Sequence, residues 1–198
     1  MMTTNELSNR QLEIIEISGK ILVEKGIKAL TTKTVALEMN FSESAIYRHF
    51  KSKEEILVAL LMLLKQNMSK RLSAEIKTEN SASENLKAVF ESQFNYFKKN
   101  PHFVVAVLSE GLLDESEEIK RIVLQLMKNK MQLLANLIDQ GKKNSEFTLA
   151  ISTEGLVPIL FGAFRFQMLR WKLSGFQYDI TVEGNKIIEN VLTLIQKN

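Results

Sequence analysis

Apolar residues recur at three- and four-residue intervals along almost the whole chain. The residues that would interrupt that pattern are scarce, with eight glycines and two prolines in 198 residues. A β-rich chain must turn about every ten residues and needs many more of them. The periodicity therefore predicts an all-α protein, and boundary signals divide it into about nine helices. A first helix, with Ile14, Ser18, Ile21 and Leu22 on one face, stops near Gly26, a residue suited to the position just past a helix end. Thr31 caps a short second helix carrying Val35, Ala36 and Met39. Ser42 caps a third, with Ile46 and Phe50 four apart on its inner face. Ser52 followed by Glu55 is a capping box that opens a long fourth helix over about 53–77. After a small polar break at 78–83, helices are expected near 83–99, 101–110, 116–141, 152–174 and 180–197, with Pro101 in a first turn where no backbone donor is missed.

Composition removes several classes of function. With no cysteine there is no disulfide scaffold, zinc ribbon, iron–sulfur site or thiol catalysis. The longest apolar run, 56–64, has nine residues, against about 18 for a membrane span. The first twenty residues lack a basic-then-apolar signal pattern. A soluble, cytoplasmic protein with no membrane partner is expected. The histidines are His49 and His102, and there is no Gly-rich phosphate loop, metal-spaced cluster or nucleophile motif. Neither catalytic residues, nor a metal site, nor a cofactor is expected. The net charge of +3 is too small and too evenly spread to coat nucleic acid indiscriminately. Residues 42–53 are the exception: Arg48, Lys51 and Lys53 face a single Glu43, which makes this window the place for an anion.

The same window closes a helix–corner–helix string. Thr31 to Met39 reads as one short helix, and Glu43 to Phe50 as the next, with Asn40, Phe41 and Ser42 between them. A tight corner of this kind often needs a residue at positive φ, and Asn tolerates that region better than bulkier side chains. Ala36 allows close approach, while Val35, Phe41, Ile46 and Phe50 can fill the space between the helices. Glu43, Ser44, Tyr47 and Arg48 then face outward, short or hydrogen-bonding groups suited to the floor of a DNA groove.

On Gly26, the Leu30-Thr31-Thr32 segment, Val35-Ala36, and the run Ile46-Tyr47-Arg48-His49-Phe50-Lys51-Ser52-Lys53-Glu54, the chain resembles the TetR family of bacterial transcriptional regulators. The resemblance covers about fifty residues, from Arg10 to about Leu60; beyond it only length and the all-helical succession match. It implies an N-terminal three-helix DNA-binding domain over 8–54 and a larger helical ligand-binding and dimerisation domain over 55–198. By the same resemblance Thr32, Tyr47, His49 and Lys53 clamp phosphates, with Lys51 beside them. Lys33, Ser44, Ala45 and Arg48 reach bases or the groove wall. Arg48 is suited to guanine and Ala45 to a thymine methyl. Two positions depart from the family pattern: Asn40 stands for the turn glycine and Phe41 for a small aliphatic residue, whose bulk the local packing must swell to hold. Glu43 opens the recognition helix, where a carboxylate either accepts from cytosine N4 or supports the helix dipole.

Twelve of the fifteen aromatic residues lie beyond Lys53. Phe90, Phe94 and Phe97 share a helix face and Phe103 follows. Met127 and Met131 lie four apart, and Phe161, Phe164 and Met168 share another face. Such a surplus fills a solid core or lines an apolar cavity; the resemblance implies the second, a pocket for a small-molecule inducer. Gln93, Gln125, Arg165 and Gln167 are the polar groups that would fix a ligand there. The stripe Ile187, Ile188, Val191, Leu192 and Ile195, together with the Gly155 and Gly162 pair, suggests helix association. The resemblance gives this as a homodimer through 152–174 and 180–197, placing two recognition helices on successive major-groove faces of double-stranded DNA. Two rival readings are an enzyme, which no motif supports, and a DNA-binding factor without an inducer whose larger domain binds a protein. An apolar void of roughly 300 Å³ favours the inducer; a filled core with an exposed apolar patch favours the protein.

Overall fold

The computed structural model describes residues 7–109, 111 and 116–197. Among them are nine α-helices, each close to a sequence expectation: α1 (Asn9–Lys25), α2 (Thr32–Glu38), α3 (Glu43–Tyr47), α4 (Lys53–Glu75), α5 (Ala82–Lys99), α6 (Pro101–Leu108), α7 (Glu117–Lys143), α8 (Thr153–Leu173) and α9 (Ile180–Ile195). The expected end of α6 at Glu110 lies outside the described residues. No helix among the described residues is long and apolar enough to cross a membrane. The chain packs as two compact units, the first within 7–67 and 100–125, the second within 68–99 and 126–197.

In the first unit α1 begins with a reciprocal cap between Ser8 and Gln11 and ends at Gly26, whose φ of 77° only glycine adopts without strain. Ile14, Ile15, Ile21 and Leu22 are buried along its inner face. Ser18 joins them because its hydroxyl donates to the Ile14 carbonyl at 2.7 Å. α6 lies against α1, and Gly19 makes that approach possible: a Cβ there would stand 2.9 Å from His102 Cγ. Burial in this contact holds the His102 imidazole well below its usual range, at about 4, although the Glu16 charge works in the opposite direction.

The second unit is organised around α5, against which α9 packs. Gly184 of α9 sits on the Phe94 ring, where a Cβ would come within 2.5 Å of Cζ. Asn85 fastens the connector before α5, accepting from the Lys77 amide at 3.0 Å and donating to the Lys77 carbonyl at 2.9 Å. Phe147 and Gln196 form an isolated antiparallel bridge that ties the segment before α8 to the end of α9. The C-terminal stripe divides in two. Ile188, Leu192 and Ile195 are buried in the unit's own core, whereas Ile187 and Val191 are only half-buried.

One packing expectation is corrected. Phe41 does not fill the space between α2 and α3; it is exposed, with the Arg10 guanidinium 4.9 Å from its ring centre. A cation over an aromatic face makes an exposed ring tolerable, so the corner has no need to swell.

Gly19→Ala is expected to destabilise the protein by about 1–3 kcal/mol, because the added Cβ would stand 2.9 Å from the half-buried His102 ring and the α1–α6 contact would have to give; urea denaturation reads this directly. Acid acts on the same contact. The unfolded chain takes up a proton at His102 near pH 6.5 and the folded chain only near 4. The contribution is therefore complete above about pH 6.5 and is lost as the pH falls toward 4, roughly 2–3 kcal/mol in all. His102→Gln should flatten that part of the stability profile.

Candidate functional site

Helices of seven and five residues cannot persist alone in water. α2 and α3 persist because Val35, Ala36, Ile46 and Phe50 are sealed together with Leu30 in the core of the first unit. Caps add to this: Thr31 accepts from the Thr34 amide at 3.0 Å and Ser42 from the Ala45 amide at 3.3 Å. At the corner Asn40 takes φ 54°, as expected. The Phe41 amide donates to the Ala36 carbonyl at 2.9 Å and closes the turn. Beyond α3, Ser52 Oγ accepts from the Glu55 amide at 3.2 Å, while the Glu55 carboxylate takes the Lys51 amide at 2.7 Å. The Gln11 amide donates to the His49 carbonyl at 3.2 Å and ties α1 to the end of this segment.

These contacts set out the side chains singled out above. Lys33, Ser44, Arg48 and Lys51 are exposed, and Tyr47 is 48% exposed. Ala45, His49 and Lys53 are half-buried. Thr32 is buried, and its hydroxyl donates to Glu43 Oε1 at 2.6 Å while lying 3.2 Å from the Tyr47 hydroxyl. Tyr47 donates to the same carboxylate oxygen at 3.3 Å. Glu43 thus joins α2 to α3 and holds the Tyr47 ring in place, a use of this carboxylate that the sequence did not suggest. Its lone pairs are engaged by neighbouring hydroxyls, which softens its conflict with an approaching phosphate.

The second unit gathers most of the apolar candidates. Phe164 stands at the centre, with its ring 5.7 Å from Phe90, 5.5 Å from Phe94, and 6.3 Å from both Phe97 and Phe161. Met168 is buried, and Met127, Met131 and Arg165 are half-buried. Phe103 belongs to the first unit, where its ring lies tilted against that of His102, 4.3 Å between centres. Gln93 and Gln167 are buried, while Gln125 is half-buried.

Beside the rings is a cavity of about 260 Å³, lined by Met68, Leu72, Asn129, Lys130 and Leu133 among others. Lys130 is not among the residues singled out from the sequence; it stands four residues after Leu126 and four before Leu134, on the buried face of α7. It is 3% exposed, its ammonium lies 4.7 Å from the Phe90 ring centre and 5.2 Å from that of Phe164, and Nζ makes no hydrogen bond. Burial, reinforced by the positive charge of Arg71, brings its pKa down to about 7. Arg71 in turn donates to Ser92 Oγ at 2.7 Å and to Gln93 Oε1 at 2.9 Å, leaving Gln93 Nε2 without an acceptor.

Comparison with known proteins adds to this geometry. Residues 14–60 match the family model of the bacterial regulatory proteins of the TetR family, and residues 61–197 match that of the C-terminal region of YsiA-like proteins. The nucleoid occlusion factor SlmA of Actinobacillus pleuropneumoniae serotype 5b (strain L20) is 25% identical over 179 residues, 90% of this chain and 88% of that one. Among solved structures, the regulator FadR of Bacillus subtilis in complex with stearoyl-CoA superposes with a TM-score of 0.79 at 20% identity, covering 93% of this chain and 98% of that one. A transcriptional regulator of Saccharomonospora viridis in complex with choline gives 0.83 at 19%, covering 97% and 100%. These two likenesses establish the fold.

Glu43→Ala leaves the buried Thr32 hydroxyl without its acceptor and is expected to cost about 1–2 kcal/mol in urea denaturation. Combined with Thr32→Val, the loss should fall well short of the sum of the two single losses.

Proposed function

The chain belongs to the TetR family of bacterial regulatory proteins, and on that premise we propose that it represses transcription from a palindromic operator in the cytoplasm and is released by a small apolar or amphipathic ligand. Its family makes it a DNA-binding transcriptional regulator rather than an enzyme. Residues 8–54 form the reading head, and residues 55–198 the ligand-binding and dimerisation domain.

One observation carries the reading of the head. α3 is sealed on one side by Ile46 and offers Ser44, Tyr47 and Arg48 on the other, beside Lys33 and Lys51. Tyr47, His49, Lys51 and Lys53 serve phosphates, with Thr32 contributing through its hold on Tyr47. Lys33, Ser44, Ala45 and Arg48 reach base edges or the groove wall. Glu43 fixes the register of the two helices. Phosphate contacts position the protein and base contacts select the sequence.

Support for a dimer lies on the outer face of α8. Ile159, Phe166, Leu169 and Leu173 are exposed, and with Gly155 and Gly162 they follow one another at alternating four- and three-residue steps. That is the spacing of a helix-pairing seam, and nothing stands within 4 Å of where a Gly162 Cβ would be. Exposed Val182 and Leu194 of α9 extend the apolar surface. A two-fold pair of this kind can present two recognition helices about 34–36 Å apart.

The ligand reading rests on the cavity beside the Phe90–Phe164 rings. At about 260 Å³ it falls short of the roughly 300 Å³ set above, and it is lined by Met68, Leu72, Lys130 and Leu133 with polar neighbours rather than by the aromatic residues singled out in the sequence. Stearoyl-CoA and choline are held by the two structural relatives named above; for this chain we infer a molecule with an apolar body. Such a ligand acts only through its differential affinity for the DNA-binding and released states.

Selection from a random DNA pool should return a palindrome, and an asymmetric or absent consensus would refute the dimeric reading head. On that operator, Lys53→Ala should weaken binding to specific and random DNA alike and lower the salt slope by about 1. Arg48→Ala should instead remove about 1–3 kcal/mol of base discrimination.

A further inference from the structure

The polar groups of the second unit's core are unevenly matched in charge and in hydrogen bonding. Lys130 from α7, Gln93 from α5 and Arg71 from α4 are among the cationic or donor side chains that enter it. Arg71 is provided for. Its guanidinium bonds Ser92 and Gln93 and lies 4.6 Å from the Tyr96 ring centre, and Ser92 passes on to Glu75 Oε1 at 2.9 Å. Lys130 is not. The charge acting on it is the repulsive one of Arg71, and its ammonium rests on two aromatic faces without a hydrogen-bond acceptor. The Gln93 amide, one helical turn past Phe90, is likewise left with an unused donor.

A buried cation without a counter-ion is costly, and so is a buried donor without an acceptor. Leucine or methionine at 130 would fill the same row of α7 at no such cost. Lys130 also lines the cavity, whose wall is apolar at Met68, Leu72 and Leu133 and polar at Ser69 and Asn136. An anionic oxygen in that space would supply Lys130 with the missing charge and the missing acceptor together, while Met68, Leu72 and Leu133 offer an apolar surface to a hydrocarbon body.

We propose that the cavity between residues 68–73 of α4 and 129–136 of α7 is the head-group subsite of the effector, and that it takes an anionic oxygen of a carboxylate or phosphate on Lys130. The effector is then an amphipathic anion. This rests on the ligand-responsive reading above and gives it a charge requirement.

The test is calorimetric titration of the full-length protein with four probes of one chain length: dodecanoate, dodecanoyl-CoA, dodecanol and dodecyltrimethylammonium. At least one anionic probe should bind ten-fold or more tightly than dodecanol, and the cationic probe should bind most weakly. Dodecanoate against dodecanoyl-CoA separates a carboxylate from a phosphate source. Lys130→Met should abolish the anion's advantage, leave dodecanol unchanged and leave operator binding without ligand intact. Lys130→Gln serves in its place if the Met variant does not fold. The proposal is overturned if neither anion binds, if dodecanol equals the anions, or if the Lys130 variants bind them as tightly as the parent. Binding of all probes alike, with release of the operator, would leave the inducer reading standing and remove the subsite. An anion that needs Lys130 but does not release the operator would keep the subsite and remove the inducer reading.

Discussion

The reading head depends on the sealing of Ile46 against Val35, Ala36 and Phe50. Neither α2 nor α3 has enough turns to sustain itself, so their geometry is a property of the core beneath them. Every outward side chain of α3 inherits its direction from that burial. The Thr32–Glu43–Tyr47 contact refines the arrangement at the surface, where the two helices would otherwise be free to slide. Under the function proposed above, rigid placement of this kind is what a five-residue helix needs to discriminate among bases, because a contact that must first be ordered gives back much of what it gains.

Much of this was legible in residue types. Ser42, Ser52 and Thr31 announce helix starts through side-chain oxygens that reach local amides, and Asn40 announces the corner through its tolerance of positive φ. These are short-range effects, contained within four residues. The position of Phe41 was not legible, because its partner, Arg10, lies thirty-one positions away and only the fold brings them together. The link between Thr32 and Glu43 was hidden for the same reason. The carboxylate looked like a liability when judged against DNA alone, and its neighbours give it a different task.

Lys130 is a different case. Its spacing from Leu126 and Leu134 places a cation on a buried face, a signal carried by the four-residue period alone. Phe90, Phe94 and Phe164 do come together, but largely with one another, and the unfilled space lies at the side of that cluster where α4 and α7 supply polar groups. Periodicity finds which residues turn inward; it does not separate rings that stack from rings that surround a guest. Only distances do that.

The contact of Gly184 with Phe94 has a bearing on how such a chain can diverge. Glycine at 184 is the sole residue compatible with a phenylalanine ring standing end-on to α9, and the ring in turn braces its neighbours on α5. The two positions are therefore inherited as one. A larger residue at 184 becomes viable only in a lineage that has already reduced the side chain at 94, and the shape of the aromatic cluster changes in that same lineage.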